Sequence, residues 1–388
     1  VRERSVHGRT SVALSGGYDS TAIFGAGNLA MVQMGRPPLA AVSLSYPPGD
    51  PGHEDEWISK TTKQWGVAPH WLDSMRIPAI DRPAERAAAR DEPMAHAYEL
   101  WNEALGVGCR SAGADVCLNG VGGDAWFSGS PIFYADLLRR GRLLRLRREW
   151  TEHLAGAGDP YLFFKTAIQP NIPEWGSRAI AMLRGGRRLR SLTYSPIPTW
   201  VGAGFAREER LVDRQMALIA RRRPGESHFS AERAWFFDSQ VTPRVIGLLQ
   251  GTLAATGVSL RMPLMDSRVV RFSASRPRWE SVSGASNKHL FRAAVRGLAP
   301  DDVLAPRPFR TGLPSTYLAR TAEAHGNLLL DILSSGMVLA EHGVVRPDVL
   351  RATIESVLGS RAPNPTQLNQ IILLTHAELW LKSEVEQT

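Results

Sequence analysis

The sequence predicts an α/β fold: a parallel sheet flanked by helices, with a mostly helical C-terminal half. Three observations predict it. Short apolar runs at 11–14, 39–46, 67–73 and 114–120 alternate with stretches of helical spacing. Glycine-rich turns follow the first and the last of these runs, at 15–20 and 120–124. Beyond about residue 150 the apolar residues recur at helical spacing instead. Strands that alternate with helices pair in parallel, because each crossover helix covers a face of the sheet.

The elements follow in order. "SVAL" (11–14) reads as a short buried strand, and a helix runs from Asp19 to about Met34. "GRPP" (35–38) stops that helix, since glycine and proline both oppose its continuation. "LAAVSLSY" (39–46) is the second strand and "PPGDPG" (47–52) a loop. "HEDEWISKTTKQWG" (53–66) is a helix ending on glycine, and "VAPHWLD" (67–73) a third strand. Residues 92–113 read as a helix and "ADVCLNG" (114–120) as a fourth strand. Further helices are expected over 232–257, 287–298 and 366–386. There is no internal repeat or low-complexity tract.

Composition bounds the function. With 388 residues, 43% of them hydrophobic, the chain can bury a sizeable core. No apolar run approaches the ~20 residues that span a bilayer. The basic start lacks the apolar stretch of a signal peptide. A cytoplasmic protein with no membrane partner is therefore expected. Two cysteines, Cys109 and Cys117, make neither a disulfide framework nor a zinc site. The net charge of +8 gathers in arginine clusters at 139–149, 184–190 and 221–223. Such clusters suit polyanions, but leucines between the arginines of the first favour an amphipathic helix. Nucleic acid is not the expected partner. The chain begins with Val, close before the first strand, which reads as a fragment or as a start at a non-Met codon.

Two loops carry the chemistry. In Ser15-Gly16-Gly17-Tyr18-Asp19-Ser20, glycines let the backbone turn tightly and approach a ligand. Successive N–H groups and a helix N-terminus make an anion nest, with Ser15 and Ser20 as hydroxyl donors. Asp19 makes sense there if it holds a magnesium ion bridging nucleotide phosphates. The plain alternative is a capped turn. The second loop lies in "LNGVGGDAWFSG" (118–129). There Gly122 and Gly123 precede Asp124, which is placed to be a second magnesium ligand facing Asp19. Ligands of open α/β sheets sit beyond the carboxyl ends of the strands, so both loops are expected to share one crevice.

The first loop matches the SGGxDS motif of the ATP pyrophosphatase superfamily. With GxGGD following, then "LRMPLMDSRVVRF" (260–272) and "NKHLFRAAVRGLAPDDVLAPRPFR" (287–310), the chain resembles the synthetase domain of glutamine-dependent asparagine synthetases. β-Lactam synthetases and lasso-peptide cyclases are relatives of that group. Arg261, Pro263 and Asp266 match the third motif, and Lys288 and Arg292 the fourth. "HAELWLK" (376–382) resembles the closing helix.

The resemblance implies an adenine nucleotide α-hydrolase-like fold and one synthetase domain over 1–388. Its nucleotide-binding core would occupy 1–150, with a helical substrate-side region over 151–388. The cofactors implied are ATP and magnesium. A small-molecule or peptide carboxylate would attack the α-phosphate, giving an acyl-adenylate and pyrophosphate. An amine or ammonia would then displace AMP. Adenine would lie against Ser43, Leu44 and Ser45; Lys288 and Arg310 would be the catalytic cations. Alternatives are a cyclase of the same group, a transfer-RNA-modifying pyrophosphatase and a non-catalytic ATP-binding relative.

Some positions depart from the pattern. Val121 stands where asparagine synthetases carry an acid, and Ala125 where they carry glutamate. Arg310 stands where a catalytic lysine is expected, and arginine cannot act as a base. The N-terminal glutaminase domain is absent from the sequence given. Ammonia would then come from solution, from a glutaminase partner, or from the missing half of a longer protein. The oligomeric state stays open.

Overall fold

The computed structural model describes residues 9–153, 159–183, 197–218, 222–283, 286–305, 316–334, 336–360 and 363–387. Strand β1 (Thr10–Ala13) leads into helix α1 (Tyr18–Gln33), and β2 (Ala40–Ser45) into α2 (Asp55–Gln64). Next come β3 (His70–Asp73), the short helix α3 (Pro83–Ala88) and the longer α4 (Glu99–Ser111). Strand β4 (Val116–Leu118) runs into α5 (Gly123–Phe127), followed by α6 (Phe133–Arg139) and α7 (Leu143–His153). Helices α8 (His228–Asp238) and α9 (Val241–Ala255) precede β5 (Ser259–Arg261) and α10 (Ser267–Ser275). Helices α11 (His289–Ala294), α12 (Thr316–Ile332), α13 (Pro347–Leu358) and α14 (Pro365–Gln387) complete the main framework.

The five strands form one sheet in the order β3-β2-β1-β4-β5, with every pairing parallel. This is the expected fold class, and the second half of the described chain is mostly helical, as expected. Alternate residues of a strand face opposite sides of a sheet, and two cores follow from that. Val116 and Leu118 of β4 join Val12, Phe24 and Trp126 on one face. Cys117, between them, joins Val42, Cys109 and Leu260 on the other. Full burial of such side chains contributes about 1.5–3 kcal/mol each. A third core lies among α12, α13 and α14, where Leu329, Leu350, Ile354 and Ile371 are all within 1% of complete burial.

Several elements differ from expectation for local reasons. The helix expected over 92–113 begins only at Glu99. Helix α3 starts on Pro83 at its first position, where the missing N–H is tolerated. The helix expected over 232–257 is two, α8 and α9, broken at Ser239 and Gln240. Pro243 explains the break: it has no N–H with which to continue α8, but it fits the first turn of α9. Strand β5 was not expected at all, and three residues are too few for a periodic signal. Among the described residues, no helix is long and apolar enough to cross a membrane.

Candidate active site

The strand order decides where a site can form. From β1 the chain winds one way through β2 to β3, then returns to place β4 on the other side of β1. At such a reversal the two outgoing loops diverge and leave a crevice at the carboxyl edge. The loops after β1 and β4 are the glycine-rich ones.

The first loop is tied down by its own side chains. Ser20 Oγ accepts from the Ser15 N–H at 3.0 Å, and Ser15 Oγ accepts from the Gly17 N–H at 3.2 Å. The two hydroxyls lie 2.9 Å apart, and Ser20 is buried. The Gly16 N–H donates to Glu54 Oε2 at 3.0 Å. A Cβ on Gly16 would lie 2.7 Å from the Glu54 Cβ, so glycine is required for this approach. Glu54 itself is only 5% exposed. Sequence reasoning missed it; the acidic run 54–56 read only as part of the start of a helix.

Asp19 is the centre of the arrangement. Its carboxylate accepts from Lys288 Nζ at 2.7 and 2.6 Å through its two oxygens. The same ammonium lies 2.7 Å from Asp124 Oδ1. Both carboxylates expected to face one another therefore meet on one cation. The Asp19 side chain is 17% exposed and that of Asp124 80%, so Asp124 forms the open rim. Burial pushes the Asp19 carboxyl above its ordinary range; Lys288 opposes that rise and Asp124 adds to it.

The second loop is shaped to let this happen. A Cβ on Gly123 would lie 2.1 Å from Asp19 Cγ, and one on Gly120 2.8 Å from Asp19 Cβ. Gly122 has φ of 99°, open to glycine and strained for other residues. It also lies under Met265, whose sulfur would be 2.8 Å from an added Cβ. The third motif thus presses on the second. Within it, the Arg261 carbonyl accepts from the Asn119 N–H at 3.2 Å, and Asp266 caps α10 through the Arg268 N–H at 3.0 Å. Pro263 is buried between them.

Lys288 precedes α11 with φ of 54° in the left-handed region and is 6% exposed. A non-glycine residue there is strained by about 1–3 kcal/mol, and such strain gathers at functional sites. The neighbouring Asn287 holds it, accepting from the Lys288 N–H at 2.9 Å and from the Gly129 N–H at 2.8 Å. Arg292, one turn on, lies 5.3 Å over the Tyr18 ring and donates to the Leu304 carbonyl. The Tyr18 hydroxyl donates to the Ala305 carbonyl at 2.7 Å. A cavity of about 320 Å³ opens here, lined by His289, Arg292, Arg296 and Asp301 among others.

The remaining expected residues are placed differently. Ser43, Leu44 and Ser45 end β2 on the same carboxyl edge, beside β1. Ser43 is buried, and its hydroxyl has no hydrogen-bond partner among the described residues. Ser45 donates to the Asp55 carboxylate. Val121 is part of the apolar cluster around Cys117 and Leu260. Arg310 lies outside the described residues.

A five-stranded parallel sheet flanked by helices, with two glycine loops meeting at its switch point, is an α/β fold of the ATP-pyrophosphatase type. The chain belongs to the asparagine synthase family, whose model matches residues 3–382. It is 24% identical over 307 residues to the protein named asparagine synthetase [glutamine-hydrolyzing] 3 of Bacillus subtilis (strain 168). That match covers 75% of this chain and 43% of the relative, so the chain spans less than half of that protein's length. The family is one of synthetase-type ligases.

Proposed function

We propose that the chain is an ATP-dependent carbon–nitrogen ligase that activates a carboxylate as an acyl-adenylate. The observation that carries this is the meeting of Asp19 and Asp124 on one ammonium, from loops on either side of the switch point. A substrate carboxylate oxygen attacks the α-phosphorus of ATP, the bond to the bridging oxygen breaks, and pyrophosphate leaves. An amine nitrogen then attacks the acyl carbon, AMP departs, and the nitrogen loses its proton.

The residues suit the magnesium that this chemistry uses. Magnesium is usually held by one or two carboxylates with the remaining positions taken by substrate phosphates and water. Asp19 and Asp124 would supply such a pair once the Lys288 ammonium, which bridges them at 2.6 and 2.7 Å, is turned toward the phosphates; no cluster of three or more metal-ligating side chains occurs among the described residues. They would hold the ion, which would neutralise phosphate charge. Lys288 would provide a positive charge beside the transferring phosphorus, and Arg310, outside the described residues, is the second cation of this reading. The loop carrying Gly16 and Gly17 would face the leaving pyrophosphate, while Ser15, Ser20 and Glu54 accept its N–H groups and keep it in shape. Ser43, Leu44 and Ser45 would border the adenine.

The carboxylate substrate is a small molecule or a peptide. Val121 favours a specialised cyclase over asparagine formation, because an apolar side chain in that cluster neither orients an amine nor accepts its proton. The nitrogen comes from the substrate itself or from ammonia; the glutamine-hydrolysing relative makes a glutaminase domain or partner a natural source.

ATP–pyrophosphate exchange against a panel of carboxylic acids and acidic peptides tests this. Exchange is expected with one class of acid, and Asp19→Ala and Asp124→Ala should each reduce it at least about a hundredfold, in the range of lost transition-state electrostatics. Their circular dichroism should match wild type. No exchange with any acid, or wild-type exchange in either variant, would reject the assignment.

A further inference from the structure

A second cavity, of about 470 Å³, lies behind the helix that carries Asp124. Its apolar lining includes Trp126, Phe133, Phe229 and Phe237. Trp126 stacks on Phe237 with ring centroids 4.5 Å apart. Phe237 is nevertheless 43% exposed, so an aromatic face is left open to a ligand.

Five arginines line the same cavity: Arg140, Arg142, Arg145, Arg233 and Arg276. The one carboxylate in the lining, Asp136, is engaged elsewhere, while Arg145 pairs with Glu149 at 3.3 Å and Arg276 lies 3.9 Å from Glu280. Asp136 accepts the N–H groups of His228 and Phe229 at 2.8 and 3.1 Å, capping α8. Arg140 and Arg142 are exposed and pair with no carboxylate among the described residues. Arg233 is anchored, donating to the carbonyls of Trp126 and Ser273 at 2.7 and 2.9 Å, and it lies 4.3 Å over the Phe229 ring. Its Nε is buried and unpartnered among the described residues. Burial holds its guanidinium down to about 10.

We propose that this cavity binds an acidic peptide segment bearing large apolar side chains. The positive charge comes from four separate elements: the turn after α6, then α7, α8 and the end of α10. A ligand meeting Arg140 and Arg142, the two with no carboxylate partner among the described residues, needs carboxylates spaced along a chain that also reaches the aromatic floor, which one compact phosphate does not. The aromatic floor calls for apolar side chains between those carboxylates. A recessed floor of this volume admits a few amino-acid residues, whereas nucleic acid is better matched by an extended basic stripe. Arg233 bonds to the last turn of the Asp124 helix, so the bound segment is anchored next to the candidate active site. The role as a substrate-holding site rests on the ligase reading; the binding itself does not.

The test is fluorescence anisotropy with a labelled peptide alternating glutamate and phenylalanine. Controls are the same peptide with lysine for glutamate and a labelled oligouridylate. The acidic peptide should bind at least about tenfold more tightly than the lysine peptide, and more weakly as salt rises. Arg140→Glu with Arg142→Glu, both on exposed side chains, should weaken it by about tenfold or more. Ala234→Trp fills the cavity and keeps every arginine; it should weaken binding as much, with an unchanged melting temperature as the check on folding. Equal binding of both peptides, wild-type affinity in the arginine or the Trp variant, or displacement of the peptide by oligouridylate would overturn the proposal. Peptide binding without pyrophosphate exchange would remove the ligase reading and leave the binding site; exchange without peptide binding would do the reverse.

Discussion

At the scale of single residues, contact distance decides more than residue type. Gly123 is required not for its turn but because Asp19 fills the space a methyl would need. Gly123→Ala should displace the Asp19 carboxylate, cost about 1–3 kcal/mol of stability, and lower pyrophosphate exchange at least tenfold; wild-type values on both would show that the loops are not in register. His376 is a second case. It is buried, and desolvation, aided by Arg90 and Arg86 against Glu99, brings its imidazole down to about 4. Above the ordinary value of 6.5 it is neutral in both folded and unfolded chains. Between 6.5 and about 4 only the unfolded chain takes up the proton, so stability falls as pH falls. At ~1.4 kcal/mol per pH unit the loss approaches about 3 kcal/mol. Urea unfolding from pH 7 to 4 measures it, and His376→Gln should remove that part of the slope. Neither effect is readable in the sequence, where glycine looks like a turn and histidine like any polar residue of a helix.

At the scale of elements, helix ends are held by distant carboxylates. Asp136 of α6 caps α8, while Glu378 of α14 accepts the N–H groups of Val338 and Leu339 at 2.8 and 3.0 Å and is fully buried. Asp136→Ala would strand two buried donors. A loss of about 3 kcal/mol in denaturant unfolding is expected, at 1–3 kcal/mol for each unsatisfied group; a shift under a few tenths would mean the cap carries no stability. The first four strands and α1 were legible because apolar runs and glycine or proline stops coincide there. Strand β5 was not, since "SLR" has no alternation to read and is a strand only because β4 lies beside it. The break between α8 and α9 was legible in principle from Pro243, but the apolar spacing on either side outweighed it.

At the scale of the whole molecule, the site is a product of topology. Lys288 and Asp19 are 269 residues apart, yet the ammonium and the carboxylate are in contact. The sequence by itself determined the α/β class, the two glycine loops and their aspartates, because these are local signals: hydrophobic period, turn chemistry and charge. Only the tertiary structure decided that β4 returns beside β1, that Lys288 joins both aspartates, that Glu54 closes the first loop, and that an arginine-walled cavity stands behind Trp126. Those contacts depend on strand order and helix packing. Both are set by burial summed over the whole chain, which no short window of residues contains.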